Sequence, residues 1–393
     1  MISRLTNKPM NVMFCKHLEK TPWFGIVAGL FLTGTLMVSG GCLDTSVEKT
    51  PPLPEDLKPF FSPVPEFENK FGAYRSPLLF ESGDRARNEE EWEIRRKEIL
   101  TEWHGLMGKW PEILENPNIT YHETKQRGPV TQHRVEVEVA PGWTREAYLL
   151  VPDIEGPLPA ALVVFYDAET GAGLARELRD FAWQLAKRGF VALSMGSSPG
   201  TNYYPDEDSA TIQPLSMMAY MAANGYQALA NLPEVDPDRI GVMGHSYGGK
   251  WAMFASALYD KFALGVWSDG GIVFDESRPN VNYWEPWYLG YDQNVRRDSG
   301  VPTDENPRTG PYKEMIQNGR DLHELHALMA PRPFLVSGGS EDPPERWKAL
   351  NHTVEVNRML GYENRVAMHN RELHAPNEES NEVIYRFFEH FLK

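Results

Sequence analysis

Short apolar runs alternate with stretches of helical period along most of the chain. Residues 133–139 (His-Arg-Val-Glu-Val-Glu-Val) alternate strictly between polar and apolar, as a half-buried strand does. Pro141-Gly142 turns the chain, and residues 146–151 return as a second strand. Four continuous apolar runs follow at 161–166, 190–194, 239–243 and 262–267, and two more at 334–337 and 364–368. Between them lie patterns that predict helices over 174–187 (with Leu174, Leu178, Phe181 and Leu185 on one face), 215–232, 251–258, 344–360 and 378–392. Two antiparallel opening strands that give way to repeated strand–helix units predict an α/β fold: a mostly parallel twisted sheet with helices on both faces. In such a sheet, ligands bind at the carboxyl ends of the strands.

Three stretches depart from this rhythm. Residues 85–130 are expected to be a helical segment packed on the domain, with Trp92, Ile99, Trp103 and Leu106 at helical spacing among charges. Residues 43–84 are rich in Pro, Glu and Phe without a period and read as a tether that ends on the domain surface. Residues 270–320 hold Tyr283, Trp284, Trp287, Tyr288 and Tyr291 among many Gly, Pro and Asn, and are expected to be an insertion over the active-site face of a domain spanning 131–393.

Composition narrows the function. The 393 residues carry a formal net charge of -16, which argues against a nucleic-acid partner, since phosphate binding needs a basic face. The two cysteines, Cys15 and Cys42, both lie near the amino terminus, so neither a disulfide nor a cysteine metal site is expected in the folded part. Residues 1–42 place a basic region ahead of an apolar run (23–38) and then Ser39-Gly40-Gly41-Cys42, the order of an export signal. The segment resembles a bacterial lipoprotein signal with Cys42 as the acylated residue, although Ser39 stands where a Leu is usual. Ordinary cleavage or an uncleaved anchor are the alternatives. The expectation is an exported protein held at a bacterial membrane through its amino terminus.

The chemistry centres on Gly244-His245-Ser246-Tyr247-Gly248, a Gly-x-Ser-x-Gly between a strand and a helix. That is the context of a nucleophile elbow, in which a tight turn exposes the serine oxygen above the sheet. A serine hydroxyl needs a histidine to take its proton and a carboxylate to fix the imidazole. His374, after the last strand, is the favoured base over His369. Asp342, in Gly338-Gly339-Ser340-Glu341-Asp342-Pro343, is the favoured acid; Asp269, after the preceding strand, is its main rival and Glu341 a lesser one. The oxyanion is expected to meet the N–H of Tyr247 and that of Tyr166 or Asp167.

Lys250 lies four residues beyond Ser246 on the same helix face, a placement for binding a substrate hydroxyl or carboxylate, with a surface lysine as the alternative. Trp284 and Trp287 are candidates for stacking on sugar rings, with packing of the insertion as the alternative. His323 and His326 lack the further spacing of a zinc motif and read as structural. No metal or organic cofactor is required.

These residues resemble the alpha/beta-hydrolase superfamily over roughly residues 130–393, on the elbow, the Gly-Gly-Ser-Glu-Asp-Pro loop and the late His374-Ala375-Pro376. Asp321-Leu322-His323-Glu324-Leu325, followed by Ala330-Pro331-Arg332-Pro333, resembles the lead-in of bacterial carbohydrate esterases. Glucuronoyl esterases are the nearest in pattern; dienelactone hydrolases and acetylxylan esterases are similar in outline. Glucuronoyl esterases carry a lysine four residues after the nucleophile, matched by Lys250, and an arginine directly after it, where this chain has Tyr247. Some place the acid after the earlier strand, which keeps Asp269 open. The resemblance implies hydrolysis of a carboxylic ester, with a carbohydrate ester as substrate. A peptidase using the same residues and a non-catalytic surface-binding protein are the other classes.

Overall fold

The computed structural model describes residues 52–393. The export segment, Cys15, Cys42 and residues 43–51 lie outside them. A nine-stranded sheet has the order β1-β2-β3-β5-β4-β6-β7-β8-β9. Its strands are β1 (Ile119–Arg127), β2 (Val130–Ala140), β3 (Trp143–Pro152), β4 (Leu158–Phe165), β5 (Val191–Gly196), β6 (Val235–His245), β7 (Leu264–Ser268), β8 (Phe334–Gly338) and β9 (Val366–Asn370). The first three strands and the β3–β5 junction pair antiparallel; β5 through β9 are parallel.

The parallel strands are apolar on both faces because both faces are covered. Along β4, Leu162 and Val164 join one core with the helices α4 (Pro214–Ala230) and α5 (Tyr247–Leu258). Ala161 and Val163 join the opposite core. There they meet α3 (Phe181–Lys187) and α9 (Glu378–Leu392), with the short α2 (Ala168–Gly171) ahead of α3; α1 (Glu89–Met107) packs into the other core through Trp92, Ile99, Trp103 and Met107. Helices α6 (Gly310–Gln317), α7 (His323–Ala327) and α8 (Trp347–Met359) complete the set. Among the described residues, no helix is long and apolar enough to cross a membrane.

Three stretches differ from their sequence pattern. The helix expected over 174–187 begins only at Phe181, because Leu178 takes φ 57°, a left-handed conformation that ends any helix through it. Leu174 and Leu178, expected on its buried face, are exposed. The segment 85–130 holds α1 but also β1, an edge strand with hardly a buried side chain, so it lacks the alternation that marks a strand. Residues 52–84 are packed on the domain rather than strung from it. Leu57 and Leu78 are buried, Asn351 Nδ2 donates to Phe67 O and Lys70 O, and the His323 ring meets Arg75 O at 2.7 Å.

Candidate active site

The turn at Ser246 is forced by sterics. Ser246 has φ 58° and ψ -117°, strained for a residue with a Cβ, between the end of β6 and the start of α5. A Cβ at Gly244 would sit 2.2 Å from Gly248 O, and one at Gly248 would sit 2.0 Å from Val164 O. Both glycines are therefore demanded by close approach of backbone to backbone. Ser246 N–H donates to Ser268 O at 2.8 Å, tying the turn to β7.

His374 stands over this turn. Its Nε2 is 2.9 Å from Ser246 Oγ and its Nδ1 is 2.6 Å from Asp269 Oδ2. Asp269 is fully buried directly after β7, with φ 48°. The carboxylate thus favours a proton on Nδ1 and leaves Nε2 to accept from the serine hydroxyl. The expectation that Asp342 orients His374 is not met, because that side chain turns elsewhere. Asp342 Oδ2 and Oδ1 accept the N–H groups of Gly271 and Ile272 at 2.9 and 2.7 Å. The glycine-rich loop after β8 wraps Asp269 instead: Asp269 Oδ1 accepts N–H groups from Gly339, Glu341 and Asp342 at 2.6, 3.1 and 2.9 Å. A Cβ at Gly339 would come 2.7 Å from Asp269 Oδ2, so the loop can close on the acid only with glycine there. Glu341 contacts Arg278 and Asn280 and does not reach His374. His369 lies within β9, edge-on to Phe60, away from the serine.

Tyr247 is the first residue of α5, where N–H groups have no partner within the helix. Tyr166 and Asp167 follow β4 alongside; the Tyr166 and Tyr247 rings stack at 4.7 Å, and Asp167 caps α2 by accepting Thr170 N–H. A cleft of about 320 Å³ opens on Ser246 and His374, walled by Phe165, Tyr166 and His245 and edged by Arg176 and Arg179.

Residues 222–344 match the prolyl oligopeptidase family. Among curated proteins, the chain is 28% identical over 142 residues to a carbohydrate esterase from an unknown prokaryotic organism, covering 33% of this chain and 29% of that one. It is 31% identical over 170 residues to a 4-O-methyl-glucuronoyl methylesterase of Sodiomyces alcalophilus, covering 40% and 33%. The matched stretch therefore spans about a third of each relative's length. A solved glucuronoyl esterase from Solibacter usitatus superposes with a TM-score of 0.63 at 18% identity, over 82% of this chain and 98% of that one. The fold is that of the alpha/beta hydrolases. Ser246 stands at the carboxyl end of the central parallel strand β6.

The hydrolase fold leaves several expected substrate contacts elsewhere. Lys250 is buried: its Nζ donates to Gly270 O at 2.6 Å and lies 5.2 and 5.9 Å from the Tyr283 and Tyr288 ring centroids. Burial pulls its pKa down to about 8, against the opposing pull of Asp342, Glu341 and Asp269. It is a strut beneath the 269–271 turn rather than a hand in the cleft. Trp284 is fully buried against Tyr312, so it presents no face to a sugar. Trp287 is half-buried and lines a separate pocket with Tyr203 and Tyr291, apart from the cleft at Ser246. The residues 270–320 are built around these aromatics as packing. His323 and His326 are buried, and the His326 ring lies tilted against Trp267 with centroids 5.3 Å apart.

Sequence reasoning missed Arg371. Its Nη2 donates to His374 O and its Nε to Ala375 O, while Nη1 donates to Ser337 O, at 2.7, 3.0 and 2.7 Å. One guanidinium thus bolts the His374 loop to the end of β8. The available signal was its position at the end of the last strand, three residues before the histidine. His245, also assigned no role, is buried with its ring 4.8 Å from that of His374. Burial and the neighbouring His374 lower its pKa well below the usual histidine value.

Proposed function

We propose that this chain is a serine hydrolase that cleaves a carboxylic ester, with a carbohydrate ester as substrate class. The observation that carries this reading is His374, within hydrogen-bond reach of both Ser246 Oγ and the buried Asp269 carboxylate. Ser246 attacks the ester carbonyl as its proton passes to His374 Nε2. Asp269 holds the ring and offsets the charge the imidazolium gains. The N–H of Tyr247 and that of Tyr166 or Asp167 receive the oxyanion. His374 returns the proton to the leaving alcohol, and water then releases the acyl group by the same route. The names of the relatives, a carbohydrate esterase and a glucuronoyl methylesterase, support an ester on a sugar.

The test is labelling with a fluorophosphonate, read by intact mass and peptide mapping, followed by acetylated and uronate-ester sugars. One adduct on Ser246, absent in Ser246→Ala, with turnover of a sugar ester, is the expected result. A peptidase reading draws on the family matched over residues 222–344. Cleavage of a short peptide amide with no ester turnover would favour it. Labelling that fails on folded protein would favour a non-catalytic binding protein.

The amino-terminal reading belongs to the same proposal: export, with Cys42 carrying a lipid anchor. A Cys42→Ser chain that keeps the same membrane association as wild type, and differs from it in mass only by the exchange of sulfur for oxygen, would remove the anchor.

A further inference from the structure

Arg176 and Arg179 are the cations at the rim of the cleft that holds Ser246 and His374. Both come from the loop between α2 and α3, which α9 steadies: Asn381 Nδ2 donates to Leu178 O at 2.9 Å. The chain as a whole is strongly acidic, at a net -16. Yet among the described residues neither guanidinium has a carboxylate within ion-pair distance. Elsewhere Arg297 pairs with Glu285 and Arg346 with Asp275, while Arg332, without a carboxylate, donates to the carbonyls of Ser256, Phe262 and Leu328. Of the two acids on the loop, Glu177 is exposed and forms no ion pair with either arginine, and Asp180 accepts from Gln184 Nε2 at 2.6 Å. Asp269, beneath His374, is taken up by the imidazole and three N–H groups.

The two guanidiniums also repel one another. Burial, and then Arg176, depress the pKa of Arg179, the direction expected when like charges share a site without an anion. Arg176 lies 5.6 Å from the Phe165 ring centroid, on the wall of the same cleft. Across Tyr166 the sign reverses, because the adjoining pocket is lined by Asp167, Glu169, Glu136 and Glu146, with Arg145 as its one cation. A substrate bound across Tyr166 therefore meets positive charge on the His374 side and negative charge on the other.

We propose that Arg176 and Arg179 form an acid-recognition subsite that takes a free carboxylate carried by the ester substrate close to its scissile carbonyl. A guanidinium matches a carboxylate with paired N–H donors, and two of them without counter-ions supply both the charge and the donors. The inference rests on the hydrolase reading and deepens it: the ester group that Ser246 attacks and the acid that the arginines hold are two different groups of one molecule.

The test uses charge-matched ester pairs on the whole chain. On the acyl side, para-nitrophenyl hydrogen succinate is compared with para-nitrophenyl butyrate; on the alcohol side, meta-carboxyphenyl acetate with phenyl acetate. The expected result is that, in at least one pair, kcat/KM for the charged ester exceeds that for the neutral one by about tenfold at low salt, mostly through KM. The ratio should fall towards one at about 0.5 M salt, where the Debye length is only a few ångströms. In Arg176→Gln/Arg179→Gln the ratio should be lost, and Arg176→Lys/Arg179→Lys should retain part of it. Wild-type protein that turns over the neutral ester as fast as the charged one in both pairs overturns the subsite and leaves the hydrolase reading standing. So does a double Gln variant that keeps the preference. Protein that cleaves none of the four esters and takes no fluorophosphonate on Ser246 overturns both.

Discussion

Asp269 and Asp342 clasp each other's loops. Asp269 Oδ1 accepts the N–H of Asp342 at 2.9 Å, while the Asp342 carboxylate accepts the N–H groups of Gly271 and Ile272, two and three residues beyond Asp269. The exchange locks the ends of β7 and β8 together, and only one member of the pair faces His374. Asp269→Asn should therefore lower kcat by about a thousandfold or more, since the amide favours the wrong imidazole tautomer. Asp342→Asn should retain most of the rate per folded molecule and lose about 1–3 kcal/mol of stability, because one buried N–H loses its acceptor. Chemical denaturation and steady-state rates on the two variants separate these effects; the reverse pattern would restore Asp342 as the acid.

Arg371 should behave as a positioning residue. Losing its bonds to His374 O and Ala375 O frees the loop that aims the imidazole. Arg371→Gln should reduce kcat by about ten- to a hundredfold with little change in KM, the signature of lost geometry rather than lost binding. Arg371→Lys, which can satisfy fewer of the carbonyls, should fall between.

The elbow glycines should tolerate no side chain. A Cβ at Gly248 would stand 2.0 Å from Val164 O, which belongs to the sheet and cannot withdraw. Gly248→Ala should cost about 3 kcal/mol or more, visible as a lowered Tm or loss of soluble protein. Gly105→Ala, on the open face of α1 with nothing near its Cβ, is the control and should be neutral or slightly stabilising.

Lys250 should leave its mark on stability against pH. Its pKa falls from the ordinary lysine value to about 8 in the fold, so between about pH 8 and 10.5 the unfolded chain binds more protons than the folded one. In that window its contribution to stability rises with pH; below it, the folded protein bears the full penalty of a buried charge. Lys250→Met should flatten the Tm-against-pH curve over this window relative to wild type. An unchanged slope difference would show that the ammonium is not desolvated.

The two tryptophans should part company. Trp284→Ala empties a closed core position and should cost about 3–5 kcal/mol. Trp287→Ala, at a half-buried pocket wall, should cost far less, and neither should alter the preference among sugar esters.

The sheet, its parallel half, the turn at Ser246 and the histidine that faces it were legible in the chain because each rests on a local rule. Buried strands read as apolar runs, the turn at Ser246 needs glycines at fixed offsets, and His374 follows the last strand. Ser246, proposed as the nucleophile, and His374, proposed as its base, could be named from those rules alone. The acid could not, since Asp269 and Asp342 both follow apolar strands, and only the packing of one loop against the other shows which carboxylate faces the ring. The same limit applies to Lys250 and Trp284, whose types and spacings suit ligand contact but whose surroundings are closed. Arg176 and Arg179 carried no local pattern at all, and the bond by which Arg371 ties the His374 loop to Ser337 O on β8 reaches a distant part of the chain. Periodicity and steric demand act between near neighbours and are written in the sequence. Which charge meets which, and what remains open to solvent, is set by distances between segments that only the folded chain brings together.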